Sequence, residues 1–188
     1  MIVLSIAIPA GLLVLILRHD GHSAPAASGV PTTIESPTDN SKAKVGTPAP
    51  DFSLPSVDGR RVTLSALRGH PVVLVFFASW CHPCEEELPV LQQFADADGG
   101  RLAVIGVNFQ DLGSDSKAFV RRLHVTFPAL LEDPSGPVAE RYGVRGLPQA
   151  IFIDAHGVVR GRVYGQTSHR TLQPAIDDLL HNRDIRTI

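Results

Sequence analysis

The run PVVLVFFAS, residues 71–79, passes straight into WCHPC, residues 80–84. No charge interrupts it, and β-branched and aromatic side chains dominate it, which reads as a strand covered on both faces. Such a strand has to lie inside a sheet with helices packed on either side. Its last residues therefore fix where the two cysteines can sit: at the end of a buried strand, where the chain turns into a helix.

The rest of the chain agrees with that placement. DFSLPSVDGRRVTL carries two short apolar stretches around Asp58-Gly59, a dipeptide suited to a tight hairpin turn, with a helical turn expected over 65–69. Helical patterns follow at 86–97, 114–123 (started by Ser114 or Asp115), 134–143 and 168–181. Strand patterns occupy 101–109, 127–131, 149–154 and 158–165, the last two forming an antiparallel pair that turns at His156-Gly157. Strands alternating with helices and ending in a hairpin predict an α/β domain with a mixed central sheet between helices and a β-hairpin extension at its amino-terminal side.

Met1 to Leu17, MIVLSIAIPAGLLVLIL, has no charged side chain and would span about 25 Å as a helix, close to the roughly 30 Å of a hydrocarbon core. It reads as an uncleaved membrane anchor, with a signal segment cleaved near Ala24-Pro25-Ala26 as the alternative. Arg18 follows the run and nothing basic precedes it, so flanking charge gives no support to export of the remainder. Residues 18–45 are rich in Ser, Thr, Pro and Ala and read as a flexible linker. The folded domain is expected over 46–182, with a short tail at 183–188. A formal charge of −2 across 188 residues, with no basic stripe, argues against a nucleic-acid partner.

Cys81 and Cys84 are the only cysteines, and their spacing suits a redox pair or two metal ligands. On the expected plan Cys81 lies in the loop after the strand and Cys84 one turn on, at a helix start. Free N–H groups and partial positive charge there favour a thiolate, the attacking species in disulfide exchange. Cys81 is then the nucleophile and Cys84 the resolving thiol. Pro83 fits the first helical turn, Pro89 should kink the helix, and Trp80 should form a wall beside the thiols.

These residues carry a resemblance. The segment GTPAPDFSLPSVDGRRVTLSALRGHPVVLVFFASWCHPCEEELPVL, followed by GVRGLPQAIFIDAHGVV, resembles the thioredoxin fold, and more narrowly its TlpA/ResA-like branch of membrane-tethered thiol-disulfide oxidoreductases. The resemblance implies a catalytic domain on the extracytoplasmic side of a bacterial membrane that needs no cofactor and exchanges its dithiol with protein thiols and disulfides. It implies work as a reductant, for instance on apocytochrome c, with electrons from a membrane thiol protein; oxidant in general disulfide formation is the alternative. It makes Pro148 a cis-proline facing the dithiol, with Leu147, Trp80, His82 and Pro83 completing a substrate groove, and it puts an active-site glutamate at Glu87. Glu87 lies three residues past Cys84, on the same helical face, and is expected to accept or relay the Cys84 proton.

Two departures stand out. Thioredoxins proper carry a buried aspartate six residues before the first cysteine, where this chain has Val75; and His82, between the cysteines, would favour a thiolate if protonated, while three neighbouring glutamates oppose it. Three other chemistries fit the residues less well. A zinc site would have to recruit from His19, His22, His70, His82, His124, His156, His169 and His181, none in a close pair near the dithiol. A peroxiredoxin-type peroxidase expects a proline and a hydroxyl where Leu74 and Ala78 stand. A non-enzymatic copper-holding module would use soft thiolates, but Met1 is the only methionine.

Overall fold

The structure, a computed structural model, describes residues 43–183 and 185. The expected anchor, the linker up to residue 42 and the rest of the tail lie outside the described residues.

The hairpin forms where the turn chemistry places it. β1 (Ser53–Pro55) pairs antiparallel with β2 (Arg61–Thr63), Leu54 opposite Val62. Gly59 in the turn takes φ +88°, a conformation in which any Cβ would be strained. A 3₁₀ turn follows at Leu64–Leu67, one residue ahead of the expected position.

β3 (Val72–Phe77) is buried at every residue. It is the middle of a five-stranded sheet ordered β5-β4-β3-β6-β7, parallel to β4 (Ala103–Asn108) and antiparallel to β6 (Gln149–Ile153). Its alternating side chains divide between two cores, as the two-residue period of a strand requires. Val73, Val75 and Phe77 join Cys84, Leu88 and Leu91 of α1 (His82–Ala97) and Leu172, Ile176 and Leu179 of α4 (His169–Leu180). Val72, Leu74 and Phe76 join Val138 and Ala139 of α3 (Pro137–Arg141), together with Phe52 and Leu64 from the hairpin side. Burying each large side chain stabilises the fold by about 1.5–3 kcal/mol. The uninterrupted apolar run is thus the signature of a strand with a core on both faces, a property that β4 and β6 on either side of it share.

The edges are shorter than the sequence pattern implies. β5 (Ala129–Leu130) is only two residues of the expected 127–131, parallel to β4, because the hairpin takes over beside it: Ser56 bridges Leu130, and the Leu131 amide donates to the Pro55 carbonyl at 2.8 Å. β7 (Val159–Tyr164) closes the other edge antiparallel to β6. Ahead of the hairpin, Gly46 donates to the Val159 carbonyl at 2.8 Å, and buried Ala43 donates to the Arg141 carbonyl at 2.8 Å.

Helix α4 starts in a capping box formed by Ser168 and Thr171. Helix α1 starts at His82 and continues through Pro89. Helix α2 (Gly113–Arg122) begins ahead of Ser114 and Asp115, with Leu112 at the flanking position and no side-chain cap. The Ser114 hydroxyl turns to Asp115 at 3.2 Å, and the inward polar group of the first turn is Ser116, whose hydroxyl donates to Asp111 at 2.8 Å.

Candidate active site

The end of β3 delivers Ser79 and Trp80, and Cys81 occupies the cap position of α1 in extended conformation (φ −86°, ψ 97°). His82 and Pro83 form the first helical positions and Cys84 the next. Cys81 and Cys84 are joined in a disulfide with their Cα atoms 5.3 Å apart. Cys81 keeps 4% of its surface exposed and Cys84 none. An incoming thiolate can therefore reach only the first sulfur, and on reduction only Cys81 faces both solvent and the free amides at the start of α1.

The groove beside Cys81 is lined by Trp80, His82, Pro83, Phe109, Gln110, Arg145, Gly146 and Leu147. The Leu147–Pro148 peptide is cis, and Pro148 is buried. Trp80 stands beside the thiols, but as the wall of an open groove: it is 59% exposed, and its indole N–H donates to the Gln110 carbonyl at 3.3 Å.

The run of three glutamates separates into three environments. Glu85 pairs with Arg122 at 3.0 Å, which holds its carboxyl below the ordinary range. Exposed Glu86 accepts from the Gln166 side chain. Glu87 is fully buried; Thr167 donates its hydroxyl to Oε1, while Oε2 has no partner among the described residues. Burial outweighs the Thr167 hydrogen bonds and pushes the Glu87 carboxyl up to about 7. A carboxylic acid poised near neutrality, on the same face as the buried Cys84, can take up or release a proton at physiological pH. At the position six residues before Cys81, Val75 belongs to the apolar core and has no proton to exchange.

Asn108 at the end of β4 and Asp111 in the loop after it carry no motif in the sequence. The buried Asp111 carboxylate accepts the Ser79 amide at 2.7 Å and the Ser79 hydroxyl at 2.9 Å. Buried Asn108 donates to the Asp111 carbonyl at 3.0 Å and accepts the Glu132 amide at 2.5 Å. The available signal was topological: β4 runs parallel to β3, so the residues leaving its carboxyl end fall beside those leaving β3, where open α/β sheets place their sites.

A reducible disulfide at a helix amino terminus, with one sulfur reachable and a titratable acid behind the other, set at the carboxyl end of a thioredoxin-like sheet, defines a thiol-disulfide oxidoreductase. The chain belongs to the AhpC/TSA family, whose pattern matches residues 45–162. It is similar to the thiol:disulfide interchange protein DsbE of Xylella fastidiosa, 35% identical over 146 residues that cover 74% of this chain and 73% of the relative. It is also similar to the thiol-disulfide oxidoreductase ResA of Geobacillus thermodenitrificans, 29% identical over 143 residues, covering 76% and 82%. Among solved structures it resembles the exposed lipoprotein thioredoxin of Streptococcus pneumoniae, with a TM-score of 0.63, 32% identity and coverage of 69% of this chain and 100% of that one. A peroxidase pattern would meet Leu74 and Ala78, both fully buried and without a hydroxyl.

Proposed function

We propose that the domain is a reductant of protein disulfides on the extracytoplasmic side of the membrane, of the kind that keeps apocytochrome c cysteines reduced. The observation that carries this is the buried Glu87 carboxyl on the face of α1 that holds Cys84. The Cys81 thiolate attacks a substrate disulfide, forming a mixed disulfide and releasing one substrate thiolate. Glu87 takes the Cys84 proton, Cys84 attacks the Cys81 sulfur, and the second substrate sulfur leaves and is protonated. Two electrons pass to the substrate, and the Cys81–Cys84 disulfide described above is the product. A membrane thiol protein would then restore the dithiol.

A negative charge behind the pair opposes the thiolate and so disfavours the reduced form. An ionised Glu87 would thus move the potential in the reducing direction. The names of the DsbE and ResA relatives support the thiol-disulfide chemistry, and the exposed lipoprotein supports work outside the cytoplasm, with residues 1–17 as the anchor. Within the domain, Leu147 and Pro148 would shape the floor on which an extended substrate lies, and Trp80, His82 and Pro83 its wall.

Expressing Cys84→Ser in the native cells and identifying the proteins trapped on Cys81 tests the reading. A cytochrome c precursor is the expected catch. A broad set of secreted proteins would replace the reductant assignment with general oxidative folding.

A further inference from the structure

We propose that Asp111 is a positioning residue for the nucleophile: its carboxylate fixes Ser79, two residues ahead of Cys81, and so aims the sulfur at the groove. This rests on the reading of Cys81 as the attacking thiol.

The geometry is that of a clasp between two strand ends. Ser79 offers its amide to Oδ2 of Asp111 at 2.7 Å and its hydroxyl to Oδ1 at 2.9 Å, so both oxygens hold the same residue and its peptide plane cannot rotate freely. Ser116 adds a third donor, to Oδ2 at 2.8 Å, which ties the carboxylate to the first turn of α2. One residue on, Trp80 is held by the Gln110 carbonyl. Gln110 itself takes φ +48°, a left-handed conformation that is strained for a side-chain-bearing residue and persists where its surroundings over-determine it. The surroundings are visible: Asn108 spans the loop, bonded to the Asp111 carbonyl on one side and to Glu132 on the other.

Helix α1 alone does not aim Cys81. As the cap residue Cys81 has non-helical dihedrals, and its amide donates to the Ala78 carbonyl at 3.1 Å, so its direction is inherited from residues 78–80. Ser79 is the link in that turn with a side-chain anchor, and the anchor is 32 residues away. Releasing it would let the Cys81 sulfur drift from the free amides of α1 and from His82 and Arg145, which line the groove beside it.

Charge and geometry can be separated, because an asparagine fits the same place. With its oxygen at the Oδ2 position it still accepts Ser79 N–H and Ser116 O–H, and its amide can donate to the Ser79 hydroxyl. The test uses the full chain in a Cys84→Ser background, where Cys81 is the only thiol, and follows alkylation by iodoacetamide across pH and exchange with oxidised glutathione. Asp111→Ala is expected to slow both by about tenfold or more and to raise the alkylation midpoint, since sub-ångström to ångström misplacement has effects of this size. Asp111→Asn is expected to stay within about twofold of the parent, and Ser79→Ala to fall between, about threefold slower. Parent-like rates in Asp111→Ala, or an Asp111→Asn as slow as the alanine variant, would overturn the proposal. If the alanine variant does not fold by circular dichroism, Ser79→Ala decides, and an unchanged rate there is fatal. A parent protein whose Cys81 alkylates no faster than free cysteine refutes the nucleophile reading instead, whatever Asp111 does.

Discussion

Replacing Glu87 by Gln should flatten the pH dependence of stability. The carboxyl is fully buried and its pKa rises from 4.5 to about 7, chiefly through desolvation. At about 1.4 kcal/mol for each tenfold, that gap corresponds to about 3 kcal/mol. The sign follows from where the proton sits. Between pH 4.5 and about 7 the unfolded chain has lost this proton while the folded chain keeps it, so folding takes up a proton and stability falls as pH rises. The stabilisation is complete below the unfolded value and gone above about pH 8. A glutamine at 87 cannot titrate, yet its carbonyl still accepts the Thr167 hydroxyl. Measured on the oxidised protein, where neither cysteine titrates, the variant should gain about 3 kcal/mol on the parent between pH 4 and pH 8. With a urea slope of about 2 kcal/mol per molar, that is about 1.5 M in the difference between midpoints. Glu132, which burial also pushes up against the Val138 and Ala139 amides, titrates in both proteins and drops out of the difference. Parallel pH profiles for parent and variant would refute the reasoning, and with it the claim that Glu87 is poised to exchange the Cys84 proton.

Two further outcomes follow from the packing. Gln149, next to Pro148, is fully buried with neither side-chain polar atom partnered among the described residues; Gln149→Met keeps its bulk and should stabilise by about 1–3 kcal/mol in urea titrations. A Cβ at Gly106 would lie 2.9 Å from Phe77 Cε1 and 3.3 Å from Phe127 Cε2, so Gly106→Ala should cost about 1–3 kcal/mol, read as a lower melting temperature.

Much of the domain could be read from local pattern because local chemistry decides it. The run through Phe77 specifies a doubly covered strand, Asp58-Gly59 a hairpin, and Cys81 with Cys84 the helix start. Glu87 was legible through helical spacing from Cys84. What escaped was non-local. The hydroxyl that holds Glu87 comes from Thr167, 80 residues on, and the carboxylate that holds Ser79 from Asp111, in a segment that reads as an ordinary loop. β5 is shorter than its apolar run because the hairpin pairs beside Leu130 and Leu131, while Phe127 turns into the core on the α1 side. α2 begins one residue ahead of the expected Ser114 because its cap position is Leu112, whose side chain cannot accept a hydrogen bond and so leaves no local mark.

Helical phase gives the three consecutive glutamates a further meaning. Neighbours on α1 point about 100° apart, so Glu85, Glu86 and Glu87 fan over about 200° of its circumference, from a surface ion pair to the dry interior. Three identical letters therefore carry three different instructions, set by their angular offset from Cys84. Inserting one residue directly after Cys84 would leave composition almost unchanged but carry the acid about 100° round the helix to the buried position that Leu88 now holds, and bring Glu86 into its place. The distance of three between resolving thiol and acid is thus a constraint on rotation as much as on reach.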